Sequence, residues 1–157
     1  MDLSLEPITS ENYPLVKEEL FLLVEKIWTK KESSDNAKDS IERWHKNSES
    51  GLYFFVSIDK KRIGITGYWP IKNAKGTFGL RHHGTIVKGT GKLSLDLLIK
   101  EIRKREKEFV HLIELIPGGR EDLISKFKGW GFELDQKGIP EWEPKKDYYK
   151  YLMTRSF

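Results

Sequence analysis

The stretch that decides the fold is Val87-Lys-Gly-Thr-Gly-Lys-Leu93, a glycine-rich turn between a predicted strand and a predicted helix. The first N–H groups of a helix have no partner within the helix, and they carry the positive end of its dipole. Glycines let an anion approach such amides, and Lys88 and Lys92 add two positive charges. The stretch therefore predicts a site for a pyrophosphate. The alternative is an ordinary strand-to-helix turn with solvated lysines.

Two well-known phosphate motifs do not fit this turn. A P-loop needs Ser or Thr after its Gly-Lys pair, but Leu93 follows Lys92, and Ile86 stands where the first glycine belongs. The dinucleotide fingerprint needs a third glycine where this chain has Ser94. The turn therefore belongs to neither motif.

The periodicity of apolar residues on either side of the turn predicts the order β-α-α-β-β-β-α-β-α-β-β. The first half contains a strand over Leu3–Ile8, a helix after Pro14 with Ser10 as its N-cap, a polar loop over 30–36 and a weaker second helix. Three strands follow as a meander, over Leu52–Ile58, 62–70 and 77–87. The first of these is apolar on both faces, which is typical of a strand buried on both sides.

The second half begins with the helix behind the turn, which has Leu95, Leu98, Ile99 and Ile102 on one face. A strand over 109–116, a helix ended by Gly129 and Gly131, a short strand, a loop over 136–146 and a closing strand over 147–157 follow. We expect one mixed α/β domain over residues 1–157.

Composition excludes several classes of protein. The 157 residues include no cysteine, which excludes a disulfide scaffold, Cys-ligated zinc, an iron–sulfur centre and a thiol nucleophile. No apolar run approaches the roughly 20 residues that span a bilayer, and the first residues lack the apolar core of a signal peptide. We therefore expect a cytoplasmic protein with no membrane partner. The formal charge of +4 allows an anionic partner without demanding one.

The chain resembles the GNAT N-acetyltransferase superfamily through its order of elements and two short motifs. Lys88, Gly91 and Leu93 fall on the positions of the family's pyrophosphate loop, where Gln or Arg, Gly, and Gly or Ala are usual. Phe127-Lys-Gly-Trp-Gly-Phe132 is similar to the family's Tyr-x-x-x-Gly-Phe helix ending, with Phe127 in place of the tyrosine. The segment 147–155 also looks like the family's last strand.

The resemblance implies a mixed, mostly antiparallel, splayed sheet flanked by helices, with strands 84–87 and 110–116 parting at their C-terminal ends. It implies acetyl-CoA as co-substrate, with its thioester in that gap and its pantetheine amides along 83–87. The residues implied in binding it are Ile86, Val87, Lys88, Gly89, Thr90, Gly91, Lys92 and Leu93. The implied reaction is direct transfer of an acetyl group to an amine. A base removes the amine proton, and an acid protonates the departing thiolate.

Three kinds of side chain are candidates for this proton transfer. His82 and His83 precede the turn, and because successive strand residues face opposite sides, one of them at most points into the cleft. We prefer His83 as the base. Glu114 is a second candidate, since burial on an apolar strand face would raise its pKa; an ion-paired glutamate at a strand end is the alternative. Phe127 cannot donate a proton, so Tyr149 or Tyr151 would replace the family's acid, unless these tyrosines only pack.

Two irregular segments, 30–36 and 136–146, would frame the acceptor. The second contains Glu141, Trp142 and Glu143, whose carboxylates and ring would attract a cationic amine, either a small molecule or a peptide. Relatives that pair through a sheet edge or closing strands make a homodimer one expectation. No metal is expected, because the histidines have no third ligand at a suitable spacing.

Two other functions remain open on the sequence. The departures at Phe127 and Leu93 favour a non-catalytic acyl-CoA-binding or regulatory relative. The pI of about 9.1 would suit a basic nucleic-acid-binding module. The lysines are dispersed and no recognition signature occurs, so we expect no nucleic-acid partner.

Overall fold

The structure is a computed structural model that describes residues 2–141 and 143–157. Twelve elements occur in this part of the chain, in the order β1 (Leu3–Ile8), α1 (Tyr13–Ile27), α2 (Lys31–Lys46), β2 (Leu52–Ile58), β3 (Lys61–Pro70), β4 (Thr77–Leu80), β5 (Gly84–Thr85), α3 (Gly91–Arg105), β6 (His111–Pro117), α4 (Asp122–Gly129), β7 (Glu133–Asp135) and β8 (Tyr149–Ser156). The mixed α/β class with a mostly antiparallel, open sheet is confirmed.

The described residues divide into two compact units, one formed by 2–69 with 81–104 and the other by 70–80 with 105–157. The single domain over 1–157 stays a prediction. No helix in the described part of the chain combines the length and the apolar character that a membrane span requires.

The first unit contains the strand order β1-β2-β3, and β5 also pairs with β3, all antiparallel. Residues 53–57 of β2 are all buried, which confirms the prediction of a strand covered on both faces. The helices α1 and α2 place their apolar faces in the same cluster as these strands. The cluster includes Leu20, Val24, Ile41, Trp44, Tyr53, Phe55 and Ile65.

The second unit contains the strand order β4-β6-β8-β7. β4 runs parallel to β6, with Phe78 opposite Leu112, whereas β8 is antiparallel to both β6 and β7. Parallel neighbours need a crossover between them. The chain makes this crossover from β4 to β6 through α3.

The helix α4 ends in a Schellman motif. The Phe132 amide donates to the Phe127 carbonyl and the Gly131 amide to the Lys128 carbonyl, both at 3.0 Å, and Gly131 has φ +92°. The Phe127 and Phe132 rings pack edge to face with centroids 5.3 Å apart. The prediction that glycine ends this helix is confirmed, and Gly131 is the residue that needs the left-handed backbone.

Three predicted boundaries differ from the structure. Residues 31–36 belong to α2 and are not a loop, because the buried face of α2 begins with Ser34, a small polar residue that apolar periodicity overlooks. The helix α1 begins at Tyr13 after Asn12, whose side chain and that of Thr9 accept hydrogen bonds from each other's backbone amides. The strand predicted over 77–87 breaks into β4 and β5, because His82 has φ +36°, outside the β region.

Candidate functional site

The turn between β5 and α3 presents unpaired backbone amides. In the described structure the amides of Lys88, Gly89, Gly91, Lys92 and Leu93 donate to no protein acceptor. Gly89 has φ +85°, and a side chain built on it would meet nothing within 4 Å, so the surface beside it is open. This geometry agrees with the predicted anion site, since free amides and the N-terminus of a 15-residue helix lie together.

Buried hydroxyl groups hold this turn in place. Thr90 and Ser94 are 0% exposed. The Thr90 hydroxyl lies 2.6 Å from the Val87 carbonyl and 2.7 Å from the Thr85 hydroxyl, and the Ser94 hydroxyl donates to the Thr90 carbonyl at 2.6 Å. The Thr90 side chain therefore stabilises the conformation of the turn through hydrogen bonds to Val87 and Thr85. Sequence analysis missed the contributions of Thr85 and Ser94, although hydroxyl residues around a helix start are a recognisable signal.

His83 connects this turn to the sheet. Its Nε2 donates to the Gly91 carbonyl at 2.8 Å, because a carbonyl oxygen can only accept. Its Nδ1 lies 2.8 Å from the hydroxyl of Thr66, a fully buried residue of β3. In the neutral ring Nδ1 is therefore the acceptor. Both ring nitrogens of the residue that the sequence favoured as the base are therefore in hydrogen bonds, one to a backbone carbonyl and one to a side-chain hydroxyl.

His82 lies on the other side of the backbone, in an aromatic environment. Its Nδ1 is 2.9 Å from the Tyr53 hydroxyl, and its ring lies edge to face with Trp28, with centroids 5.9 Å apart. Burial, followed by the charges of Arg81 and Arg43, lowers the pKa of His82 to about 4. The ring is therefore neutral at physiological pH.

Glu114 and Tyr149 belong to the second unit. Glu114 is in β6 opposite Met153, on a strand face that it shares with the buried Leu112 and Ile116. Burial raises the pKa of Glu114 to about 8, although the Leu115 amide donates to Oε1 at 3.1 Å and opposes this shift. Burial, Glu143 and Glu114 raise the pKa of Tyr149 to about 12. The charges of Glu143 and Glu114 therefore both act on the Tyr149 phenol.

The loop over 136–146 contains one buried carboxylate. Glu143 is 8% exposed, and its Oε1 accepts a hydrogen bond of 2.9 Å from the Lys145 amide. Glu141 is highly exposed and forms an ion pair of 3.0 Å with Lys146. Trp142 lies outside the described residues. Glu143 is one of the residues predicted to contact the acceptor, and its charge helps to raise the pKa of Tyr149.

The remaining candidates have structural partners or lack the needed group. The Tyr151 hydroxyl donates to Glu121 at 3.1 Å. Phe127 is 7% exposed and packs in the helix end, where it offers no proton. Among the described residues, no group of three or more His, Asp or Glu side chains is placed to hold a metal ion.

Solved structures of similar fold support the resemblance seen in the sequence. A protein from Desulfovibrio desulfuricans assigned to the GNAT acetyltransferase family superposes with a TM-score of 0.73 at 15% identity, covering 99% of both chains. A GNAT-family acetyltransferase from Staphylococcus aureus Mu50 gives 0.63 at 14% identity with the same coverage. The aminoglycoside acetyltransferase AAC(6')-Ib, solved with ribostamycin and coenzyme A, gives 0.68 at 16% identity, covering 99% of this chain and 94% of its own.

The sequence matches no protein-family model, and it has no significant match among the curated proteins. The similarity lies in the fold, which extends over nearly the full length of these neighbours. The chain therefore has the fold of the GNAT acetyltransferases, as a divergent example of it.

Proposed function

We propose that this chain is an acetyl-CoA-dependent N-acetyltransferase that acts on an amine of a small molecule or peptide. The observation that carries the proposal is the turn from Ile86 to Leu93, where five amides of the described structure have no protein acceptor and Gly89 lies beside open space at a helix N-terminus. A chain with the GNAT fold and a preformed anion site at this turn suits a pyrophosphate-bearing cofactor. AAC(6')-Ib has been solved with coenzyme A or acetyl-CoA and an aminoglycoside, which supports the same class of co-substrate and acceptor.

The cofactor would be held mainly by the backbone. Its pyrophosphate would accept hydrogen bonds from the amides between Lys88 and Leu93, and Lys88 would add positive charge. Lys92 forms an ion pair of 3.0 Å with Asp96 in the first turn of α3. The exposed side chains of Ile86 and Leu93, 42% and 48% exposed, would cover apolar parts of the same ligand. Acetyl-CoA supplies the activated acyl group as a thioester.

Glu114 is the proposed general base. A general base must be deprotonated to accept a proton, so with a pKa of about 8 Glu114 becomes a competent and strong base as the pH rises towards 8. Both nitrogens of His83 are in hydrogen bonds, and His82 resists protonation. Glu114 is therefore better suited to take a proton from an amine than either histidine.

Tyr149 is the proposed general acid. Its phenol keeps its proton across the physiological range because its pKa is raised to about 12. A phenol can protonate the departing thiolate, whereas Phe127, which stands at the position of the family's tyrosine, cannot. The charge of Glu114 is one cause of the raised pKa of Tyr149, which supports a role for both groups in proton transfer at one site.

The turn is tested by calorimetry with acetyl-CoA and with CoA. We expect sub-millimolar binding to the wild type and a loss of at least about tenfold in Gly89→Val, because valine is strained at φ +85° and blocks the open surface. Gly138→Val is the matched control, since Gly138 has φ +82° and equally open surroundings. Absence of binding to the wild type would refute the proposal, and equal loss in both variants would refute the placement of the pyrophosphate.

A non-catalytic acyl-CoA-binding protein is the second candidate. The buried Phe127 favours it, because that helix end carries no acid. It predicts CoA binding without release of free thiol from acetyl-CoA in the presence of any amine from a broad panel. One acetylated product, identified by mass spectrometry, eliminates this candidate.

A further inference from the structure

A cavity of about 800 Å³ is lined entirely by residues of the first unit. Part of its lining comes from one face of the sheet, where Ser4 of β1 is opposite Ser57 of β2, and Ser57 is opposite Arg62 of β3. The helix α1 contributes Leu22 and Leu23. A cavity of this volume is within the range of small-molecule sites in proteins.

The cavity adjoins the turn that is the proposed pyrophosphate site. Ile86 is part of its lining and stands two residues before Lys88, the first residue with an unpaired amide. The Ile86 amide donates to the Ile63 carbonyl at 2.8 Å, which fixes this segment beside the start of β3. Consecutive Cα atoms are 3.8 Å apart, so the Cα atoms of Ile86 and Lys88 lie within about 8 Å of each other. One ligand can therefore occupy both the turn and the cavity.

The charged residues of the lining favour an anion. The Arg62 guanidinium donates to the Glu6 carboxylate at 2.7 and 2.9 Å and also pairs with Glu19, so both carboxylates of the lining have a partner. The other three charged residues of the lining are lysines without an ion pair among the described residues, namely Lys26, Lys60 and Lys61. Four cations thus accompany two carboxylates, which gives the cavity a positive potential.

A buried hydroxyl in the lining also lacks a protein partner. Ser57 is 4% exposed, and its side chain forms no hydrogen bond within the part of the chain that the structure describes. Buried polar groups in folded proteins nearly always have a hydrogen-bond partner. A ligand rich in oxygen atoms would supply one here.

The hairpin between β2 and β3 holds two of the lysines at the cavity. Ile58 is opposite Lys61, so the loop consists of Asp59 and Lys60, which have φ +48° and +71°. Positive φ at both loop residues is what a type I′ turn requires, and glycine is usual at the second of them. A lysine in this conformation costs energy, and strained residues of this kind cluster at functional sites. The position of Lys60 therefore supports a role for its charge.

We propose that this cavity binds the nucleotide end of acetyl-CoA, with the 3′-phosphate at Lys60 and Lys61 and the adenine against Leu22 and Ile86. The pyrophosphate at the turn joins this nucleotide to the pantetheine arm, so the nucleotide extends from the turn towards α1 and the β2–β3 hairpin. This inference rests on the proposed acetyltransferase function, whose cofactor site it extends.

CoA and dephospho-CoA, which differ only in the 3′-phosphate, test the proposal by calorimetry. We expect the wild type to bind CoA at least about tenfold more tightly, as charge-assisted hydrogen bonds to one phosphate allow. In the double variant Lys60→Asn/Lys61→Gln this ratio falls to about two or less, while the affinity for dephospho-CoA is retained. Asparagine is chosen at position 60 because it tolerates the left-handed backbone.

The matched control is Lys100→Gln/Lys104→Gln, which removes two exposed lysines of α3 in the same unit, outside the cavity. It changes the net charge equally and should keep the ratio. Lys26→Gln removes a cation that lines the cavity from α1, so it should lower the ratio in the same direction as the hairpin variant.

Adenosine 3′,5′-bisphosphate is a probe that has the nucleotide but neither pantetheine nor thioester. We expect it to compete with CoA and to bind the hairpin variant at least about tenfold more weakly than the wild type. Inorganic phosphate is the second probe. Lysine-dependent binding of phosphate, together with equal affinities for CoA and dephospho-CoA, would identify an isolated anion site and overturn the inference.

The remaining outcomes separate this inference from the proposed function. A preference for CoA that survives both the hairpin variant and Lys26→Gln overturns the inference. Acetylation of an amine by a protein that binds CoA and dephospho-CoA equally counts against the inference alone. A lysine-dependent preference for CoA without acetylation of any amine supports the inference and counts against the proposed function alone.

Discussion

Burial raises the pKa of Glu114 to about 8, while the same carboxyl in an unfolded chain titrates near 4.5. Between these values the folded protein holds a proton that the unfolded chain has released. The contribution of the Glu114 carboxyl to the free energy of unfolding is therefore fully present below pH 4.5. It declines as the pH rises and is lost above about 8. The buried Glu114 carboxyl thus lowers the stability of the fold in the alkaline range, where it is charged.

Glu114→Gln tests both consequences in one variant. Glutamine keeps the shape but not the charge, so we expect the free energy of unfolding at pH 9 to rise by a few kcal/mol at most, with little change at pH 4. We expect turnover to fall by about 10²- to 10⁴-fold, and wild-type activity to rise with pH towards about 8. Urea denaturation and pH–rate profiles measure these effects.

The matched control is Glu133→Gln, an exposed carboxylate of β7 in the same unit. It should alter neither the pH dependence of unfolding nor turnover. Retained activity in Glu114→Gln would move the base to another group.

His83 is the residue whose proposed role the structure changes most. The sequence favoured it as the base, but its two hydrogen bonds join Thr66 of β3 to Gly91, the first residue of α3. We therefore expect His83→Ala to raise the dissociation constant of CoA by at least about tenfold, while kcat at saturating acetyl-CoA stays within a few fold.

Thr66→Val removes the partner of Nδ1 and keeps the ring, so it should weaken CoA binding in the same direction and less strongly. Calorimetry and steady-state kinetics separate the two effects. A large fall in kcat with unchanged CoA affinity would return His83 to the role of base.

At the scale of elements, the end of α4 depends on one of its two glycines. Gly131 has φ +92°, and a Cβ there would lie 3.1 Å from Arg155 Nε. Gly129 is helical and has open space around it. We expect Gly131→Ala to lower the free energy of unfolding by about 1–2 kcal/mol, whereas Gly129→Ala leaves it unchanged or raises it by up to about 1 kcal/mol.

Urea denaturation of the two variants beside the wild type provides the measurement. Equal effects of the two alanines would show that the Schellman motif does not set the conformation of this segment.

At the scale of the whole molecule, the sequence predicted what depends on local pattern. The alternation of apolar residues gave the order of elements, the apolar run of β2 gave a strand buried on both faces, and Gly131 marked the end of α4. These features follow from residues close together in the chain. The resemblance to the GNAT fold, which rested on element order and two short motifs, is confirmed by the solved structures of similar fold.

The contacts that sequence analysis missed join distant parts of the chain. Tyr53 fixes the ring of His82 from 29 residues away, and Thr66 holds His83 from 17 residues away. No periodic pattern reports such bonds. The break between β4 and β5 at His82 is an example. The His82 ring packs against Trp28 and Tyr53, and its φ of +36° lies outside the β region that the strand pattern predicts.

The hydroxyl bonds of Thr85, Thr90 and Ser94 have a kinetic consequence for the turn after β5. A segment that is ordered before its ligand arrives loses little conformational freedom on binding, so the encounter need not wait for a loop to close. We therefore expect the association of CoA to follow a single exponential whose rate rises linearly with concentration. Speed of capture would then depend on the hydroxyl groups of half-buried Thr85 and buried Thr90 and Ser94, which form hydrogen bonds within the turn.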